Sequence, residues 1–101
     1  MIAFSKPYKV DVFQITKEIR TDNSTWPEWL HQAWQLDPTE RGAVFPENYP
    51  NSDGTDRLVV RISESRATIV GWGDYIMNIG GRLTTIDYDS FTVTKGTDVQ
   101  E

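Results

Sequence analysis

Cysteine is absent from the 101 residues, which excludes disulfides, thiolate metal sites, cysteine nucleophiles and iron–sulfur clusters together. Small secreted domains commonly need covalent staples, so a reducing, cytoplasmic setting is expected. Histidine occurs once, as His31, too few for a His-based zinc site and unsupported by the partners a charge relay needs. No apolar stretch approaches the roughly 20 residues of a membrane helix. Met1 to Pro7 lacks a basic segment followed by an apolar run, so no signal peptide is expected. Gly71-Trp72-Gly73 and Gly80-Gly81 precede no helical pattern, so they read as turns and not as a phosphate-binding loop.

Positive charge is also scarce: 10 Lys and Arg stand against 15 Asp and Glu, a net charge of −5. That balance argues against direct, sequence-independent binding of DNA or RNA, which relies on cations at the phosphates. It is compatible with an acidic face that competes for another protein's nucleic-acid site, and equally with ordinary solubility. The length fits one domain over residues 1–101 with one core. Four Trp, four Tyr and four Phe among those residues predict a compact, aromatic core.

Along the chain, Tyr8 to Thr16 reads as a first strand. Tyr8, Val10 and Val12 share one face, while Phe13 and Ile15 put apolar groups on the other. Either a bulge near Val12-Phe13 or a strand covered on both sides accounts for that pattern. Asp22 to Trp34 then predicts a single Trp-rich helix. Thr25 and Glu28 have capping-box spacing, Pro27 falls in the first turn, and Trp26, Trp29, Leu30, Ala33 and Trp34 form one apolar stripe. His31 falls on the opposite, wet side.

Asp37 to Asp56 reads as a loop, with Pro38, Pro46, Pro50, Gly42 and Gly54. Twenty residues without regular structure points to a functional loop or to local disorder. From Arg57 the period becomes two: Leu58, Val60 and Ile62 face inward, and Arg57, Val59 and Arg61 outward. Glu64-Ser65 is the expected turn, and Ala67 and Ile69 continue the inward face. Gly71 to Asp74 turns into a strand over Tyr75 to Ile79. Gly80-Gly81 supplies the positive φ of a two-residue hairpin, and Arg82 to Ile86 returns. Asp87 to Ser90 turns into a last strand over Phe91 to Thr94, followed by a frayed tail over 96–101. The expected fold is α+β: a small, curled, largely antiparallel sheet of five to six strands with one Trp-rich helix.

Several segments taken in order resemble a family of small bacteriophage and prophage accessory proteins. The opening Lys6-Pro7 and Val10 to Thr16 resemble its first strand, and Trp26-Pro27-Glu28-Trp29-Leu30 its short helix. Gly73-Asp74-Tyr75-Ile76 resembles its (Pro)-Gly-Asp-Tyr/Trp-Ile motif, and Asp89 to Thr94 its closing segment. Trp72 stands where the family usually has Pro, and Gly80 to Ile86 lacks its Lys-Gly-Glu-Phe-Tyr-Pro pattern. The resemblance implies a phage accessory gene product acting in the host cell, and it carries over no catalytic residue, metal or cofactor.

Individual residues add little chemistry. Asp74 reads as a turn residue accepting bonds from amides two residues on. Asp87 and Asp89 form an acidic patch with Asp98 and Glu101, without the spacing of a calcium loop. Arg57 and Arg61 are expected to pair with neighbouring carboxylates. The expectation is therefore a non-enzymatic protein that binds a host or phage protein, a nucleic-acid-binding complex being one candidate, and modulates it. Inhibition of a host defence system, such as a CRISPR effector or restriction complex, is the sharpest form. The candidate contact residues are Trp34, Phe45, Tyr49, Asp53, Asp56 and Trp72, because aromatics dominate interface energetics. One alternative is a small-ligand or nucleotide-binding protein or enzyme using the sheet as a cup, with Asp74, Tyr75, Arg57 and Arg61 lining it. Another is a minor structural or assembly protein of the virion.

Overall fold

The structure, a computed structural model, describes residues 10–90. The Lys-Pro opening, the strand expected over Phe91 to Thr94 and the tail over 96–101 lie outside the described residues.

Strand β1 (Val10–Gln14) pairs antiparallel with β5 (Tyr75–Ile79) in unbroken register, from Val10 opposite Ile79 to Gln14 opposite Tyr75. No bulge interrupts it. Phe13, opposite the fully buried Ile76, turns toward the core, and Val10 lies half exposed on the other face. Strand β6 (Arg82–Ile86) completes this sheet in the order β1-β5-β6. The Gly80-Gly81 turn joining β5 to β6 has φ of +60° and +98°, the left-handed pair that a two-residue hairpin requires.

A second antiparallel sheet has the order β2-β3-β4, from β2 (Val44–Pro46), β3 (Leu58–Ser63) and β4 (Arg66–Val70). The fold is thus α+β, with six strands among the described residues arranged as two open three-stranded sheets in place of one curled sheet, and with β3 lying against β6. Leu58 and Val60 point inward as expected, but Ala67 and Ile69 do not. The register shifts by one between Arg61 and Ser63, so Val60 faces Thr68 and Leu58 faces Val70. Because side chains alternate, that slip reverses the facing of β4. Val70 is buried and Ile69 is 46% exposed. Val59, placed outward, is nevertheless buried, flanked on its own face by Phe45 and Ile69 across the two ladders.

The helical segment comes in three pieces. Helix α1 (Lys17–Thr21) is N-capped by Thr16, whose hydroxyl accepts from the Ile19 amide. A 3-10 turn (Asn23–Thr25) is capped by Asp22 through the Ser24 amide. Helix α2 (Glu28–Trp34) follows Pro27, which provides no side-chain cap. The expected capping box does not form. A residue before proline is pushed out of the α region, and Trp26 sits at φ −63°, ψ 136°, so no helix can run from Asp22 through it. Trp26 instead buries its ring and donates Nε1–H to the Ile19 carbonyl at 2.9 Å.

The core gathers Ile15, Trp26, Leu30, Ala33, Val44, Leu58, Val60, Val70 and Ile76. Among the described residues it is aliphatic with one buried Trp, where an aromatic core was expected. Trp29, Trp34, Trp72 and Phe13 pack around its rim, partly covered, since a domain this small has little depth in which to bury a whole indole.

Candidate functional site

The segment from Asp37 to Asp56 contains one three-residue strand and is otherwise irregular, but hydrogen bonds hold it along its length. Asp37 accepts from the amide and hydroxyl of Thr39, while Glu40 accepts from the Asp37 amide. Gly42 (φ +87°) then turns the chain into β2. Strand β2 is only three residues, but its ladder is extended at both ends by Gly42 N–H to the Arg61 carbonyl, Arg61 N–H to the Ala43 carbonyl and Glu47 N–H to the Arg57 carbonyl. Pro46, which argues against a strand in sequence, is tolerated on an edge strand.

Beyond β2 the chain is held from beneath by a residue that drew no attention in sequence. Arg20, 8% exposed, donates Nε–H to the Asp56 carbonyl at 2.9 Å and Nη2–H to Ser52 Oγ at 2.8 Å. Its Nη2 lies 3.5 Å from the Asp56 carboxylate, and both side chains are largely buried, at 8% and 6% exposure. Asp56 also accepts from the Ser52 hydroxyl at 2.6 Å and the Asn48 amide at 2.8 Å. The Ser52 hydroxyl foremost, then the Asn48 amide and the Arg20 charge, hold the Asp56 carboxyl below its ordinary value against the opposing effect of burial. Arg57, at the end of this segment, forms a two-bond pair with Glu47.

The six candidate contact residues are therefore split. Trp34, Phe45 and Tyr49 line one groove together with Leu36, Pro46 and Pro50. Tyr49 is 59% exposed. The charge on that lining is Asp37, whose carboxyl the Thr39 hydroxyl and amide lower and so keep ionised. Trp34 is fixed from two sides, edge-on to Trp26 at 5.5 Å between centroids and beneath the Arg20 guanidinium at 5.4 Å. Phe45 carries the Arg61 guanidinium over its ring at 5.8 Å. Trp72 lies in a different depression, beside Lys17, Thr21 and Gly54. Asp53 is exposed and turned onto its own loop, accepting from the Thr55 hydroxyl and amide. Asp56 is the internal brace just described.

Other sequence expectations are relocated. Arg61 donates to the Pro38 carbonyl and not to a carboxylate. Asp74 accepts at Oδ1 from the Tyr88 amide, fourteen residues on, and not from its own turn. His31 is half buried, its ring 5.6 Å from that of Trp26, and not on a wet face. Arg57 and Arg61 are committed to Glu47 and Pro38, so they do not line a cup with Asp74 and Tyr75. Among the described residues no group of three or more Asp, Glu or His is placed to hold a metal ion, and no helix is long and apolar enough to cross a membrane. Compared with models of known families, with curated proteins and with solved structures, the chain matches none.

Proposed function

We propose that this chain is a binding protein whose groove between α2 and β2 receives an extended, proline-bearing segment of a partner protein that carries a basic residue. The carrying observation is the composition of the groove: Trp34, Phe45 and Tyr49 beside Pro46 and Pro50, with Asp37 the one carboxylate on its lining among the described residues. Flat aromatic faces bind polyproline II segments at low entropic cost because such segments are already extended. A carboxylate on the lining selects for a cation on the bound segment. The groove is held in shape by the Arg20 brace, so little ordering is needed on binding.

The resemblance to phage accessory proteins supports the reading that the partner is a host protein whose activity is modulated, with inhibition of a defence complex as its sharpest form. The acidic net charge supports the same direction.

The test is affinity capture from host lysate after nuclease treatment, with the tagged wild type beside Tyr49→Ala, together with titration of a proline-rich peptide bearing one arginine. The reading requires that Tyr49→Ala lose both the captured partner and roughly tenfold of the peptide affinity, as loss of one aromatic anchor implies. Capture and peptide binding unaffected by Tyr49→Ala would sink it.

A further inference from the structure

A second cavity lies away from this groove, where the Gly80-Gly81 hairpin tip approaches the turn that leads into β2. Its lining includes Arg41 and Arg82, with Ile62, Ile79 and Leu83 as apolar walls. Of the seven described cations, Arg20, Arg57 and Arg61 are committed to Asp56, Glu47 and Pro38. Lys17, Arg41, Arg66 and Arg82 remain, and among the described residues the Arg41 and Arg82 guanidinium groups make no ion pair or hydrogen bond. Two of those four cations come from segments far apart in sequence to one cavity, in a chain with net charge −5. Acidic side chains are plentiful, yet none lines this cavity among the described residues.

The backbone keeps the space open. Gly42 and Gly81 both lie on the lining with φ of +87° and +98°, and among the described residues, chain neighbours aside, no heavy atom lies within 4 Å of where a Cβ would stand on either. Thr84 adds a hydroxyl. A neighbouring hollow shares Arg41, Gly42, Gly81 and Leu83 and extends the apolar surface to Trp29. Positive charge at one part, aliphatic and indole surface beside it, and no acid on the first lining describe a receptor for an anion with an apolar body. Guanidinium forks match the geometry of phosphate oxygens.

We infer that this cavity binds a small organic phosphate, with its phosphate at Arg41 and Arg82 and its apolar part over Leu83 toward Trp29. The site is independent of the proline groove, so either can fail without the other.

Calorimetric titration with phenyl phosphate tests it, with inorganic phosphate and benzyl alcohol as the two half-ligands. Arg41→Gln and Arg82→Gln remove the proposed contacts, and Arg66→Gln removes an arginine that does not line the cavity. Both arginines are exposed and unbonded, so these variants keep the fold, which a thermal melt verifies. Saturable binding of phenyl phosphate is expected, at least roughly tenfold tighter than either half-ligand. It should weaken roughly tenfold in Arg41→Gln and in Arg82→Gln, the share of one charge-assisted contact, and stay unchanged in Arg66→Gln. No saturable binding, or equal weakening by Arg66→Gln, overturns the assignment. So does inorganic phosphate binding as tightly as phenyl phosphate.

Discussion

Arg20 and Asp56 join two parts of the chain that are 36 residues apart, the guanidinium bonding both the carbonyl and, more distantly, the carboxylate of the same aspartate. The shorter contact is to the carbonyl, at 2.9 Å against 3.5 Å. Arginine therefore acts here chiefly as a multi-donor clamp on the backbone, and its charge offsets a carboxylate that would otherwise be buried without a cation. Arg20→Met removes all three donors and leaves Asp56 with Ser52 and Asn48 alone. Breaking a buried pair from one side typically costs 3–5 kcal/mol, and the long charge contact puts this case near the lower end, about 3 kcal/mol. Arg20→Lys should recover less than half, because a single ammonium cannot reach carbonyl, hydroxyl and carboxylate in one plane. Urea unfolding of the three proteins measures this, and equal midpoints for Lys and wild type would show that charge alone matters.

Acid should unfold the protein through the same brace. The Ser52 hydroxyl first, then the Asn48 amide and Arg20, depress the Asp56 carboxyl in the folded state relative to its ordinary value of 3.8. A depressed folded value means that the unfolded chain takes up the proton first. The stabilisation is thus fully present above about pH 4 and is lost as pH falls through the folded value. Asp22, Asp37, Asp53 and Asp87 are shifted in the same direction by bonds to Ser24, Thr39, Thr55 and Ser90, and being exposed they should add less to the acid limb than Asp56 does. Asp56→Asn should be less stable at pH 7 and lose less stability from pH 4 to pH 2.5 than the wild type. Parallel curves across that window would count against this assignment.

What was legible in the sequence follows from how local each cause is. The Gly80-Gly81 hairpin, β3 and β5 were readable because two glycines and a two-residue period lie within a few positions of one another. The facing of β4 was not, because the one-residue slip between Arg61 and Ser63 is a property of the pairing and leaves no mark in the alternation of either strand. Strand β2 was hidden by its three-residue length and by Pro46, and α1 by having a single apolar residue, Ile19, and hence no stripe. For the site, aromatic character picked out Trp34, Phe45 and Tyr49, which do share a groove. Asp56 reads in sequence as a contact residue and is a brace in the structure, since its partner Arg20 resembles any helical surface arginine until the distant loop is folded over it. Thr16 before Lys17-Glu18 was the one local signal for α1, as a cap three residues ahead of the Ile19 amide.

The turn that links β4 to β5 has a testable steric device. A Cβ on Gly71 would stand 2.8 Å from Asp74 Oδ2, while Asp74 Oδ1 holds the Tyr88 amide at 2.9 Å. The carboxylate cannot swing away without releasing that amide. Gly71→Ala should therefore destabilise by roughly 0.5–1.5 kcal/mol, the net worth of one hydrogen bond at an exposed amide. In an Asp74→Ala background the obstacle is gone, and Gly71→Ala should be neutral or slightly stabilising by reducing the freedom of the unfolded chain. The double-mutant cycle reads this coupling directly. Additive effects would place the cost of Gly71→Ala in the backbone.

Binding and stability should separate at Tyr49 and coincide at Arg20. Tyr49 is 59% exposed and reaches the groove from a segment braced elsewhere, so Tyr49→Ala should change unfolding free energy by no more than about 0.5 kcal/mol. If the groove receives a proline-bearing segment, the same variant loses roughly tenfold in affinity, because an exposed aromatic contributes through the area it covers in the complex. Arg20→Met should lose both, since Arg20 stacks over Trp34 and ties Ser52 and Asp56, and a groove whose wall must be ordered on binding has a lower apparent affinity. Adding a second substitution then distinguishes anchor from frame. Tyr49→Ala in the Arg20→Met background should cost less affinity than in the wild type, because the ring it removes is no longer held in place. Full additivity would mean that the brace supports the fold without positioning Tyr49.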